Sequence, residues 1–195
     1  SDLEASAIIS AASSSGFSSD SIVVTVSSPL TPNLTLVDLP GIIRTTTVGQ
    51  SRSVIEDVDR LLQRYMSQPE TIILSVIPAN QDIATVDILE RAHHHDPNGE
   101  RTIGVLTKPD LIDQGAEEEV FAIATNSRKP LKMGYVMVKN RNQLELNRSG
   151  SLQDSLAAEA QYFESHETWK RLSPENRGTR ALCEKLTQLI VKRAM

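Results

Sequence analysis

Apolar runs alternate with helical stripes along this chain. Five runs read as strands, at residues 22–26, 34–37, 72–77, 103–106 and 135–138. The run Ile72-Ile73-Leu74-Ser75-Val76-Ile77 is nearly continuous instead of alternating. A strand covered by helices on both faces needs such a run, so it predicts the middle of a parallel sheet. Ile55, Val58, Leu61, Leu62 and Tyr65 recur at spacings of three and four, which predicts a helix over Ser53–Met66. Ile83, Val86, Leu89 and Ala92 repeat the stripe in the next segment. Leu182, Leu186, Leu189 and Ile190 mark a terminal amphipathic helix, whose Lys192 and Arg193 suit the negative end of the helix dipole. Ser151-Leu152-Gln153-Asp154 reads as a helix start with Ser151 capping the first turn.

Runs 22–26 and 34–37 are joined by residues 27–33, rich in Ser, Pro, Thr and Asn, with no room for a crossover helix. They are expected to form an antiparallel hairpin at one side of the sheet. The fold class expected is α/β, a three-layer domain with a mostly parallel sheet and an antiparallel edge hairpin. Residues 13–19 read as a Ser-rich flexible loop. No internal repeat or domain boundary is visible, so residues 1–195 are expected to form one domain.

Composition narrows the function. Apolar residues are 39% and charged residues 23% of the 195, a balance that allows a proper core. A formal net charge of -5 argues against nucleic acid as a partner, because neutralising phosphates needs clustered Lys and Arg. The single cysteine, Cys183, excludes an internal disulfide framework and is expected as a small buried helix residue in a reducing compartment. No apolar run approaches the roughly 20 residues that span a bilayer. The start, Ser1-Asp2-Leu3-Glu4, is not the basic-then-apolar opening of a signal peptide. A cytoplasmic location, peripheral where it meets membranes, is expected.

Three motifs follow strands, where ligands gather in α/β sheets. Asp38-Leu39-Pro40-Gly41 follows run 34–37. An Asp there can hold Mg²⁺ through water, since that cation keeps part of its hydration shell. Gly41, without a Cβ, can bring its N–H to a terminal phosphate, a contact whose loss on hydrolysis would switch the loop. Thr107-Lys108-Pro109-Asp110 follows run 103–106. The Asp110 carboxylate can accept two hydrogen bonds from the donor edge of guanine, which adenine cannot offer. Lys108 can lay its methylene stem along the base, and Thr107 can brace the loop. Val138-Lys139-Asn140-Arg141-Asn142-Gln143 follows the last run, with amide and guanidinium groups suited to covering base and ribose. Each motif alone also fits an ordinary turn or polar loop. Their order, with phosphate and metal first, base choice second and base cover third, points to a GTPase.

Leu34-Thr35-Leu36-Val37-Asp38-Leu39-Pro40-Gly41-Ile42 resembles the signature of the dynamin superfamily. So do Arg101-Thr102-Ile103-Gly104-Val105-Leu106-Thr107-Lys108-Pro109-Asp110 with Asp96-Pro97-Asn98-Gly99 before it, Asn80-x-Asp82-Ile83-Ala84, and Asn140-Arg141-x-Gln143. The proline of Thr-Lys-Pro-Asp is closer to the Mx-type branch than to endocytic dynamins. The likeness runs from about Ala5 to the C-terminus. It implies a P-loop-GTPase-like fold that binds and hydrolyses GTP in a mechanochemical protein, with GTP or GDP and Mg²⁺ as ligands. It implies guanine recognition by Lys108 and Asp110 on the loop braced by Thr107, base cover by Asn140, Arg141 and Gln143, and Asp38 and Gly41 at the metal and γ-phosphate. Self-association through the GTPase domain is implied too. Membranes, the cytoskeleton (microtubules included) or viral particles are the implied targets, reached through regions outside these residues.

No Gly-x-x-x-x-Gly-Lys-Ser/Thr occurs in the 195 residues, and Thr45-Thr46-Thr47 lies on the wrong side of Asp-x-x-Gly to serve as the family's switch threonine. Ile42 offers no water-positioning side chain after Gly41. No catalytic residue is therefore expected in this chain. In folds of this kind the strand before the phosphate loop lies between the strands corresponding to 34–37 and 72–77, and without it both would show an unpaired edge. The expectation is a partial GTPase domain, lacking that first strand and the phosphate loop, that neither binds GTP tightly nor hydrolyses it alone. The rival from another class is a non-catalytic degenerate GTPase acting as an assembly module. A dinucleotide-binding oxidoreductase lacks its Gly-x-Gly-x-x-Gly.

Other signals are structural. His93-His94-His95 cannot converge on one ion, since consecutive helical residues point apart, and reads as a solvated helix end. Asp57 with Arg60, and Glu117-Glu118-Glu119, read as exposed helix faces. Trp169 and Phe163 are expected to anchor the last helices to the sheet, and Ser75 to be a small packing residue.

Overall fold

The computed structural model describes residues 22–25, 34–39, 53–82, 87–147 and 150–194. The chain divides into two compact units, Ser1–Gln68 and Pro69–Met195, each described by itself. In the first, α1 (Ser53–Met66) has the expected bounds and buries Val58, Leu62 and Met66, one residue per turn along a single face. Asp57 and Arg60 pair on its outer side at 2.5 Å.

The hairpin expected from residues 22–26 and 34–37 is not formed among the described residues. Residues 22–25 and 34–39 belong to no strand, and Val23, Val24 and Leu36 are 77–80% exposed. β-branched, apolar composition favours an extended backbone, but a strand forms only where its N–H and C=O groups meet a partner and one face meets a core. Neither condition holds for these segments among the described residues.

The second unit runs β1 (Ile73–Pro78), α2 (Asp87–His95), β2 (Thr102–Thr107), α3 (Glu117–Ala124), β3 (Tyr135–Met137), α4 (Gln143–Asn147), α5 (Leu152–Ser165) and α6 (Thr179–Ala194). Its sheet has the order β1-β2-β3 and is parallel throughout. Parallel neighbours need a crossover, and α2 and α3 lie in the two connections. On one face Ile77, Leu106, Tyr135 and Met137 pack with Val120, Ile123 and Ala124 of α3 and with Phe163, Trp169 and Leu172. On the other, Ile103, Val105, Val136 and Val138 pack with Ala181, Leu182, Leu186 and Leu189 of α6. Phe163 and Trp169 thus anchor the C-terminal elements to the sheet, within an α/β/α layering.

The middle strand is β2, buried from Thr102 to Leu106, and not β1. In the described sheet β1 is an edge strand, and its Val76 is 55% exposed. Burial alternates along β1, with Ile73, Ser75 and Ile77 closed off and Val76 open, so among the described residues its continuous apolar run marks neither two covered faces nor a neighbour on each side. Ser75 is fully buried, a small residue in the packed face.

The turn before β2 is built on Asp96. Its carboxylate accepts the Glu100 and Arg101 N–H groups at 3.0 Å and the Thr102 hydroxyl at 2.6 Å. Burial works to raise its pKa, but these hydrogen bonds and the Arg101 charge outweigh it and hold the carboxyl below its ordinary value. The Arg101 guanidinium donates to the Thr71 and His95 carbonyls, fixing where α2 ends and β2 begins. His93 and His94 are exposed at the end of α2, and among the described residues no three or more His, Cys, Asp or Glu side chains gather as a metal cluster. In the stripe at 83–92, Ile83 and Val86 lie outside the described residues.

Two details complete the frame. Ser151 caps α5 as expected, accepting the Asp154 N–H at 3.1 Å while Asp154 accepts the Ser151 N–H at 2.9 Å. Cys183, expected to be buried, is exposed. The helix α6 turns Ala181, Leu182, Leu186 and Leu189 to the sheet, which leaves 183 and 187 on the solvent side.

Candidate functional site

Because β2 and β3 are adjacent and parallel, the loops that follow them leave from the same edge of the sheet. The first begins at Thr107, whose hydroxyl donates to the Ile77 carbonyl on β1 at 3.4 Å. Lys108 then takes a left-handed conformation, φ 56° and ψ 46°, rare for a residue with a side chain. That turn lets Pro109, buried and with no N–H to satisfy, open the short 3-10 turn Pro109–Leu111. The Leu111 N–H closes it on the Lys108 carbonyl at 3.1 Å. Lys108 and Asp110 are both exposed. Among the described residues the Asp110 carboxylate accepts no hydrogen bond, so its acceptors face outward.

The second loop is held from below. The Val138 N–H donates to the Leu106 carbonyl at 2.8 Å. The Lys139 N–H donates to Glu159, and the Lys139 ammonium donates to both oxygens of Glu145 at 2.9 Å. Asn142 and Glu145 cap α4 reciprocally: Glu145 N–H to Asn142 at 2.9 Å, and Asn142 N–H to Glu145 at 2.8 Å. The Lys139 ammonium also stands 6.0 Å from the Tyr162 ring centre. Burial pushes the Tyr162 phenol up; a hydrogen bond with Trp169 opposes the rise, and the negative charges of Asp110 and Glu117 add to it.

Asn140, Arg141 and Gln143 project from this frame and are exposed. Arg141 donates to the Gly150 carbonyl at 3.3 Å and Gln143 to Asn147 at 3.2 Å. The chain thus brings Thr107, Lys108, Asp110, Asn140, Arg141 and Gln143 to one edge. Asp38 belongs to the first unit, where it is exposed, and Gly41 lies outside the described residues. A cavity of about 160 Å³, lined by Leu89, Asp96, Asn98, Thr102, Leu131 and Lys132 among others, opens at the opposite edge, where β2 begins.

The supporting residues Lys139, Glu145, Glu159 and Tyr162 were not legible as site residues. Asn142-x-x-Glu145 does carry a capping signature that announces α4. Glu159 carries no local signal, because its bond to Lys139 spans 20 residues.

A family model described as the Dynamin family matches residues 2–109, and a second, the Dynamin central region, matches residues 119–193. The matched stretches meet inside one sheet, since β2 of the first pairs with β3 of the second. The chain is 42% identical over 177 residues to an interferon-induced GTP-binding protein Mx of Perca fluviatilis, across 90% of this chain and 59% of that protein. It is 44% identical to the Mx protein of Epinephelus coioides and 43% identical to Mx1 of Ovis aries, in each case across 90% of this chain. It spans 28% and 27% of those two relatives' lengths. The first matched stretch takes in Thr107, Lys108 and Pro109 and ends just before Asp110, and the second takes in the Asn140–Gln143 loop: this chain belongs to the dynamin family.

Proposed function

We propose that this chain supplies the base-recognition part of a guanine-nucleotide site in a dynamin-like, Mx-type mechanochemical GTPase. The observation that carries the reading is the convergence of the 107–110 and 139–143 loops at the ends of two adjacent parallel strands. An exposed carboxylate at Asp110 suits the paired donors of guanine, and adenine would leave its acceptors unmatched. Lys108 would lie along the base, while Asn140, Arg141 and Gln143 would cover base and ribose. Asp38 is exposed, which suits holding Mg²⁺ through water, with Gly41 at the γ-phosphate; the ion would neutralise phosphate charge. In this reading residues 1–195 are a partial GTPase domain. Hydrolysis, self-association and targets such as membranes, cytoskeleton or viral particles belong to the whole protein.

The test is binding of fluorescent GDP and ADP to the chain, alone and supplemented with an N-terminal segment carrying a phosphate loop. GDP preferred over ADP only with the supplement, and lost in Asp110→Ala, supports the reading. No guanine preference in either case would demote Asp110 to a turn residue. A second reading, a non-catalytic assembly module, is favoured by one observation: Leu144, Leu146 and Leu152, on and beside α4, are 50–73% exposed. GTP hydrolysis by the chain alone would contradict both readings.

A further inference from the structure

We infer that Glu159 is the positioning residue of the base-covering loop, holding it through the Lys139 N–H and tying it to the first turn of α6. The inference rests on the guanine reading above. Glu159 lies on α5 and is 5% exposed, a charged side chain almost closed off from water. Burying a carboxylate is costly unless donors surround it. Three do: the Lys139 N–H at 2.9 Å, the Thr179 N–H at 2.8 Å and the Thr179 hydroxyl at 3.2 Å. Thr179 opens α6, so the carboxylate also meets the positive end of that helix.

The chain before Thr179 is bound to the same place. Arg177 bridges Met137 as a parallel neighbour, and the Gly178 N–H donates to the Met137 carbonyl at 2.7 Å. Residues 137–139 and 177–179 therefore run side by side, with Glu159 stapling both. Lys139 directly precedes Asn140 and Arg141, whose side chains are exposed. Its anchored amide sets where those side chains leave the sheet. A carboxylate that never touches the nucleotide thereby fixes the geometry of the base cover, and does so only while the start of α6 is docked.

The experiment is amide hydrogen exchange on the 195-residue chain, wild type against Glu159→Gln. The amide keeps the shape and one acceptor but removes the charge. Exchange at Lys139 and Thr179 should quicken together by roughly tenfold or more, as expected for a lost charge-assisted hydrogen bond, with Ile103 and Val105 of β2 as unchanged references. In the phosphate-loop-supplemented chain, the preference for GDP over ADP should fall by a similar factor. Exposed Gln161, also on α5, serves as the control through Gln161→Ala and should change neither readout. Faster exchange at one amide alone, or at both with guanine preference intact, overturns the positioning role and leaves the guanine reading standing. Absence of guanine preference in the wild type removes both.

Discussion

The ring of Tyr135 lies against the bare backbone of Gly104. A Cβ placed on Gly104 would stand 2.1 Å from Cδ1 and 2.3 Å from Cε1 of that ring. The two residues are register partners across β2 and β3, and Ser75 completes the row on β1. A large ring thus occupies the space that the middle strand vacates, and Ser75 beside it is fully buried. Gly104→Ala should destabilise the second unit by about 3 kcal/mol, the upper range for overpacking a closed core. Denaturant midpoints give the value. Tyr135→Ala placed in the same chain should recover part of the loss, giving a coupling energy of opposite sign in a double-mutant cycle. Additive effects would mean that the ring and the new methyl do not meet.

Tyr135 also sets an alkaline limit. Burial pushes its phenol up to about 12, and its hydroxyl donates to the Lys129 carbonyl at 2.6 Å. Below the ordinary value of 10.0 both folded and unfolded states keep the proton, and the contribution to stability is complete. Between 10.0 and about 12 the unfolded state ionises first, so stability is lost as pH rises through that window. The slope from this one group approaches about 1.4 kcal/mol per pH unit. Tyr135→Phe should be less stable near neutrality, by about 1 kcal/mol for the lost hydrogen bond, yet flatter above pH 10. A variant curve falling as steeply as the wild type would place the alkaline loss elsewhere.

Asp96 behaves in the opposite sense. Its folded pKa lies below the ordinary 3.8, so its contribution is complete above that value and is lost as pH falls through the folded one. Asp96→Asn cannot accept the Glu100, Arg101 and Thr102 donors with the same charge, and should cost roughly 2–3 kcal/mol near neutrality. The gap between wild type and variant, followed by urea unfolding, should close on acidification. A gap constant down to pH 2 would show that the ionised carboxylate contributes nothing.

The elements readable from sequence are those whose signal is local. The helix Ser53–Met66, the cap at Ser151 and the three strands of the second unit follow from spacing, composition and one reciprocal pair of side chains. The residues at 22–25 and 34–37 carry the same kind of signal and form no strand among the described residues, because a strand also needs a neighbour that its own residues do not specify. The two loops proposed to meet the base were readable as loops because each follows its strand directly. Their support was not: Glu159 meets Lys139 across 20 residues, and the Tyr162 ring of α5 stands beside the Lys139 ammonium. Such contacts exist only once the sheet and α5 are assembled. Cys183 marks the same limit from the other side, since its residue type favours burial and its place on α6 decides for solvent.

Lys108 separates stability from ligand binding. A left-handed residue with a side chain costs about 1–2 kcal/mol, and Lys108 holds that conformation on an exposed turn where its side chain adds little packing. Strain of this kind collects at functional positions. Lys108→Gly releases it, against about 0.5–1 kcal/mol from glycine's greater freedom in the unfolded chain. The net expectation is a gain of up to about 1.5 kcal/mol, read as a higher thermal midpoint. If the Lys108 stem lies along a guanine base, the same substitution weakens GDP binding in the supplemented chain. Lys108→Ala divides the two effects, because it keeps the strain and loses the stem: binding should fall as far with no gain in stability. A glycine variant less stable than the wild type would mean that Lys108 is held by contacts stronger than its strain. Unchanged GDP affinity in both variants would remove Lys108 from the base site.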